Sequence, residues 1–77
     1  MNILKGQFYK VVIRVKDEVF LTYYAKITSV DEDFISFIDK YNKEQNYNKD
    51  SLFSYVLLTN KEIKENFPNE VIYDGRD

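Results

Sequence analysis

The sequence predicts a mainly β fold: a small five-stranded antiparallel barrel with one short helix before the last strand. Apolar and polar residues alternate along most of the chain, which is typical of half-buried strands. A capping-box spacing and a proline bound a single helical segment near the C-terminus. A chain of 77 residues has room for one core, so residues 1–77 are expected to form a single domain. Closing the sheet would remove its edges.

The first two strands are predicted from the alternating runs "FYKVVIRVK" and "VFLTYYAKITSV". A three-residue loop at Lys16–Glu18 makes one face of this hairpin consistently apolar, whereas a two-residue turn would oppose apolar and polar residues. The pairs that this loop creates are Val15 with Val19, Ile13 with Leu21, and Val11 with Tyr23. The left-handed position of the loop then falls on an acidic residue.

The segment "KITSVDEDFISFIDK" predicts a second hairpin, with Asp31-Glu32-Asp33 as a three-residue turn. The predicted pairs are Val30 with Phe34, Ser29 with Ile35, and Ile27 with Phe37. Three adjacent carboxylates could instead bind a divalent cation, but oxygen-only sites usually need six or more ligands. We therefore expect a turn here, and no metal site.

The segment 42–50, "NKEQNYNKD", has no apolar periodicity and is predicted to be a long exposed loop. "SLFSYVLL" follows as a fourth strand that is apolar on both faces. A strand of this kind is expected to be covered on both sides. The predicted inward side chains are Leu52, Val56 and Leu58, and the predicted outward ones are Phe53, Tyr55 and Leu57.

The predicted helix begins at Thr59, has Glu62 at the capping-box position and ends before Pro68. Ile63 and Phe67 are spaced i, i+4, so they share one helical face and are expected to cover part of the outward side of the fourth strand. "EVIYD" is predicted to return as the last short strand.

The run "VIRVKDEVFLTYYAKITSVDEDFISF" resembles the first signature of the Sm-like barrels. Val30-Asp31 matches the apolar–Asp pair of that signature, and Ala25 lies near the position of its mid-strand glycine. The C-terminal order of strand, helical turn and strand is similar to that of SH3-like barrels. The resemblance covers about Val11 to Phe37 and implies an SH3-like or Sm-like small barrel.

Several positions depart from the Sm-like pattern. Glu18 stands where the family has a turn glycine, and Phe34-Ile35 stands where it has an RNA-contacting asparagine. The family's second signature, centred on Arg-Gly, is absent from "SLFSYVLLT". The resemblance therefore implies the fold without the uridine-binding residues.

The composition argues against catalysis and cofactor binding. The chain has no histidine and no cysteine, so a general base would have to be a carboxylate, Lys or Tyr. There is neither a nucleophile elbow nor a phosphate-binding glycine loop. We expect a protein that is not an enzyme and that needs no cofactor. No apolar run approaches membrane-spanning length and the N-terminus lacks an apolar signal core, so the expected location is cytoplasmic.

Two surfaces are candidates for binding. The first is a protein interface, for self-association or for a larger partner, because aromatic residues are enriched at interfaces. Its predicted members are Phe53, Tyr55, Leu57 and Tyr47. The alternative is a face for single-stranded RNA or DNA, in which basic residues alternate with aromatic ones. Its predicted members are Lys10, Arg14, Phe20, Tyr24 and Lys26. The net charge of −2 favours the protein interface.

Overall fold

The computed structural model describes residues 2–70, which form one antiparallel sheet and one short α-helix. The strands are β1 (Phe8–Lys16), β2 (Val19–Val30), β3 (Phe34–Asp39), β4 (Glu44–Asn48) and β5 (Leu52–Leu57). A single 3₁₀ turn, Lys49–Ser51, connects β4 to β5, and the helix α1 spans Asn60–Asn66. The mainly β class, the five antiparallel strands and the short helix are thus confirmed. The predicted strand "EVIYD" lies, apart from Glu70, outside the described residues.

The sheet is curled but is not closed. Its strand order is β4-β3-β2-β1-β5, so β4 and β5 are its two edges within the described residues. The 3₁₀ turn between Asn48 and Leu52 can span at most about 14 Å even if fully extended. In a flat five-stranded sheet the outer strands lie about 19 Å apart. The sheet therefore bends enough to bring the end of one edge strand near the start of the other.

The main core lies on one face of this curled sheet. Its largest fully buried side chains are Val11, Ile13, Ile27, Ile35 and Phe37. Most of them follow the period-two spacing that the sequence shows, because side chains alternate between the two faces of a strand. A second, smaller cluster lies against the other face of the sheet. It consists of Leu58, Ile63 and Phe67, packed against Phe8 and Tyr24.

The first hairpin has the predicted register over most of its length. Ile13 pairs with Leu21 and Val11 with Tyr23. The predicted pair of Val15 with Val19 is wrong, because a bulge takes up Val15 and the strand ends with Lys16 opposite Val19. The bulge leaves a two-residue connection while it preserves the apolar register further along the strands. The left-handed residue is acidic as expected: Glu18 has φ of 60°.

The second hairpin keeps the predicted pair of Ile27 with Phe37 but shifts near its turn. The observed pairs there are Ser29 with Ser36 and Val30 with Ile35, so the predicted pairs of Ser29 with Ile35 and Val30 with Phe34 are wrong. The Asp31 side chain explains the shift. Its Oδ1 accepts from the N–H groups of Asp33 (2.9 Å) and Phe34 (2.8 Å). The N–H of Asp31 also donates to the carbonyl of Phe34 (3.1 Å), so the turn has two residues, Glu32 and Asp33, in place of the predicted three. The two N–H donors to Oδ1, Phe34 first, hold the pKa of Asp31 below its ordinary value.

The predicted loop at 42–50 is wrong, because it contains β4, which pairs with β3. Gln45 and Tyr47 point to the core side and are half-buried, while Glu44, Asn46 and Asn48 are exposed. The period of two is therefore present, but a polar glutamine occupies one of the inward positions.

The helix begins and ends where the sequence predicts. The Thr59 hydroxyl accepts from the N–H of Glu62 (3.2 Å), and the Thr59 N–H donates to the Glu62 carboxylate (2.9 Å). Ile63 and Phe67 do share a buried face. They pack with Leu58 against Phe8 and Tyr24, however, and not over Phe53, Tyr55 and Leu57 as predicted.

Candidate interaction surface

The exposed apolar side chains of β5 form the most prominent candidate surface. Phe53 is 64 % exposed, Val56 64 % and Leu57 59 %. The ring of Phe20, itself exposed on β2, lies with its centroid 4.8 Å from that of Phe53. We call these four residues the β5 surface. Val56 lies opposite Lys10, on the face away from the main core, and Leu57 lies opposite Tyr9, on the core side, so the exposed apolar side chains flank both sides of this strand. Large exposed apolar side chains of this kind typically mark an interaction site.

The backbone of β5 adds to this surface polar groups that are unpaired within residues 2–70. On one side, Lys10 of β1 is opposite Val56, and the N–H of Leu58 donates to the carbonyl of Phe8 (3.0 Å). Backbone groups alternate in direction along a strand. The N–H and C=O groups of Val56 therefore point to β1, whereas those of Tyr55 and Leu57 point to the open edge. Within residues 2–70, β1 is the only strand paired with β5.

An open cavity of about 410 Å³ lies beside this edge. Its apolar lining comes mainly from Leu4, Tyr9, Tyr55 and Leu57. The cavity lies on the core side of the sheet, because Tyr9 pairs with Leu57 and points toward the main core. An apolar side chain from outside could enter here without moving the strand.

The predicted faces of β5 are wrong at four positions, Tyr55 to Leu58: Leu57 lies on the core side, opposite Tyr9, and Leu58 packs in the second cluster on the other face. Tyr55 lies opposite the buried Val11, packs against the main core and has its ring 6.0 Å from that of Tyr9. Its hydroxyl accepts from the N–H of Asn2 (3.2 Å). Val56, predicted to point inward, lies opposite Lys10 and is exposed. Because this strand is apolar on both faces, only its pairing with β1 determines which side chains are buried.

Tyr47, the fourth predicted interface residue, is half-buried and contacts the core. Its hydroxyl lies 2.7 Å from the hydroxyl of Tyr23, and its ring stacks on Phe37 at 6.1 Å between centroids. Burial, then the hydrogen bond with Tyr47 and the nearby charge of Asp39, raise the pKa of Tyr23 from 10.0 to about 12. These contacts place Tyr47 in the packing of β3 and β4, outside the β5 surface.

The hydroxyl pair gives a measurable titration. We expect tyrosinate absorbance to show an ionisation near pH 12 that belongs to Tyr23, and Tyr47→Phe to lower the pKa of Tyr23. Because the pKa of Tyr23 is higher in the folded state, its contribution to stability is complete below pH 10 and is lost as the pH rises toward 12. The control is Tyr41→Phe, which removes an exposed hydroxyl. An equal effect of both variants would contradict this assignment.

The alternative basic and aromatic face is assembled as predicted, but its charges are largely compensated. Lys10 pairs with Tyr24, Arg14 with Phe20, and Lys26 with Phe8. The acidic neighbours are Asp17, 3.1 Å from Arg14, and Glu70, 3.0 Å from Lys26. Lys10 helps to hold the pKa of Glu62 below its ordinary value, after the larger effect of the two hydrogen bonds with Thr59.

The aromatic members of that face are also partly occupied. Tyr24 packs against the second cluster, and Lys40 lies 5.3 Å from its ring centroid. A base could stack on Tyr24 only after displacing these neighbours. Phe20 remains exposed, but its ring contacts Phe53 and so belongs equally to the β5 surface.

The chain matches no protein-family model, no curated protein and no solved structure. Within residues 2–70, no helix is both long and apolar enough to cross a membrane. The interpretation of the surfaces above therefore depends on their geometry alone.

Proposed function

We propose that the protein is a non-enzymatic protein-interaction module that associates, through the β5 surface, with itself or with a larger protein partner. One observation carries this proposal: Phe53, Val56 and Leu57 expose large apolar side chains on a strand whose outer backbone groups are unpaired within residues 2–70. Full burial of such a side chain contributes about 1.5–3 kcal/mol. A partner that covers all three would gain several kcal/mol before the costs of association.

The fold supports this role without defining the partner. The strand order and the 3₁₀ turn between β4 and β5 are consistent with an SH3-like or Sm-like barrel that is open between these strands. We propose that the fold is an SH3-like or Sm-like barrel of this open kind. Binding of RNA or DNA is the less favoured alternative, since Arg14 and Lys26 already have acidic partners.

Replacing Phe53 with glutamate tests the proposed function. Because Phe53 is largely exposed, Phe53→Glu should keep the native fold while it places a charge in the interface, and we expect association to weaken at least tenfold. The matched control is Phe34→Glu, the same change at an exposed phenylalanine on β3. Light scattering after size exclusion measures self-association. Capture with the purified chain as bait, followed by cross-linking, measures binding to other proteins, and circular dichroism checks the fold.

Two outcomes would contradict the proposed function. One is a wild-type chain that neither self-associates nor cross-links to another protein. The other is an association that Phe53→Glu and Phe34→Glu weaken equally. Salt-dependent binding to single-stranded nucleic acid, unaffected by Phe53→Glu, would favour the alternative face instead.

A further inference from the structure

We propose that the partner of the β5 surface is a second copy of this chain, joined by antiparallel β5–β5 pairing across a two-fold axis at Val56. This inference rests on the proposed function and specifies its partner. It starts from the backbone: the N–H and C=O groups of Tyr55 and Leu57 point to the open edge and flank Val56 symmetrically. With Leu57 opposite Tyr55 of the second copy, all of these groups pair, giving four hydrogen bonds across the axis.

The side chains fit the same register. Val56 then lies opposite Val56 of the second copy in a non-hydrogen-bonded pair, where the side chains are closest. The exposed side chain of each Val56 is thus covered by Val56 of the other copy. Leu57 of the second copy lies beside Tyr55, over the open cavity that Leu4 and Tyr9 line. The pairing thus covers Val56 and Leu57, fills the apolar cavity next to them and places Phe53 opposite Thr59 of the second copy, so all three exposed side chains of β5 lie in the dimer interface.

The charges favour a second copy at this edge. β5, "LFSYVL", carries no charged residue, so self-pairing opposes no like charges along the strand. One charge on the paired face is Lys10, opposite Val56 on β1. Three strand spacings separate the two copies of Lys10, about 14 Å, which exceeds the screening length of about 10 Å at moderate salt.

The symmetry also limits the assembly to two chains. A two-fold contact uses the same edge on both copies and closes on itself. Pairing of β5 with β4 of another copy would instead leave an edge free on each chain, so it would produce rings or filaments. The sequence of β4, "EQNYN", brings Glu44 to that edge and offers only one large apolar side chain, Tyr47, which is already packed on the core.

Lysine at the axis tests this arrangement. The wild-type chain should have twice the 9.3 kDa chain mass by light scattering across the micromolar range. Val56→Lys opposes two like charges and removes the same apolar contact twice, so we expect dimerisation to weaken about 100-fold. The matched control is Ser54→Lys on the same face of the same strand, which should remain dimeric. Circular dichroism should show both variants folded.

A unique cysteine tests the register. The chain has no cysteine, so Val56→Cys provides a single thiol at the axis, and its cross-strand pair has the spacing of a disulfide. It should form a covalent dimer on mild oxidation. Ser54→Cys should not, because in this register the two copies of residue 54 are about 13 Å apart.

The results that would contradict the β5–β5 pairing can be distinguished from those that would contradict the proposed function. A monomeric wild-type chain, a mass larger than two chains, equal dissociation by Val56→Lys and Ser54→Lys, or preferential cross-linking of Ser54→Cys would each overturn the β5–β5 pairing. A monomer that cross-links to another protein through Phe53 would overturn this pairing and leave the proposed function standing.

Discussion

Phe37→Ala is expected to remove about 4 kcal/mol from the free energy of unfolding, because deletion of a buried phenylalanine leaves a cavity as well as losing apolar burial. Phe37 is fully buried on β3, and its ring lies 5.2 Å from that of Tyr23 and 6.1 Å from that of Tyr47. A domain of 77 residues has a total stability of about 4–12 kcal/mol. The substitution should therefore remove from about a third of that stability to nearly all of it, and urea denaturation measures the loss.

The same strand provides the control for this prediction. Phe34→Ala makes the identical chemical change three residues earlier, where the side chain is 44 % exposed. We expect a loss of about 1 kcal/mol or less there, because surrounding water replaces most of the lost contacts. A loss at Phe34 as large as that at Phe37 would mean that the core does not lie on the assigned face of β3.

Local patterns in the sequence were sufficient for the first hairpin and the helix. Tyr9, Val11 and Ile13 alternate with Lys10, Val12 and Arg14, and the more apolar set is the buried one; the register follows because a slip of one residue would expose the core. The helix start follows from Thr59 and Glu62, whose side chains satisfy each other's backbone groups. In both cases the information lies within a few residues of the structure that it specifies.

The other elements depend on partners that are distant in the sequence. The sequence does not indicate β4, because its inward Gln45 is polar; this side chain is tolerated there because it hydrogen-bonds Asp39. The faces of β5 were assigned wrongly because Tyr55 and Val56 are both apolar, and the pairing with Val11 and Lys10 decides between them. Of the predicted interface residues, Phe53 and Leu57 are exposed, while Tyr55 and Tyr47 are needed for packing.

Asp39 also has a structural role that the sequence pattern did not indicate. It is the one buried charged residue among those described, with 5 % of its surface exposed. Its Oδ1 accepts from the N–H groups of Tyr41 (2.9 Å) and Lys43 (3.0 Å), and its Oδ2 accepts from Nε2 of Gln45 (3.1 Å). These bonds hold the turn between β3 and β4, in which Asn42 has φ of 63°. An Asp followed by a polar segment with an Asn is the only local signal of this turn.

Asp39→Ala is expected to destabilise the protein by about 3 kcal/mol, because it leaves three donors around a buried position without their acceptor. Asp39→Asn is the matched control: it keeps one side-chain oxygen for the backbone donors and should cost clearly less. Urea denaturation at neutral pH compares the two variants with the wild-type chain. Equal losses would show that the hydrogen bonds to Oδ1 do not stabilise the turn.

The pH dependence of the stability of Asp39→Ala distinguishes the effect of the ionised carboxylate from the effect of the packing around it. Burial by itself raises the pKa of Asp39, but the hydrogen bonds from Lys43, Gln45 and Tyr41 outweigh it and hold the pKa below its ordinary value. A lowered folded-state pKa means that the stabilisation is complete above the unfolded-state pKa, and is lost as the pH falls through the folded-state value. Below about pH 4, wild-type stability should therefore decline more steeply than that of Asp39→Ala. If the two proteins lose stability in parallel as the pH falls, the ionised carboxylate is not what holds the turn.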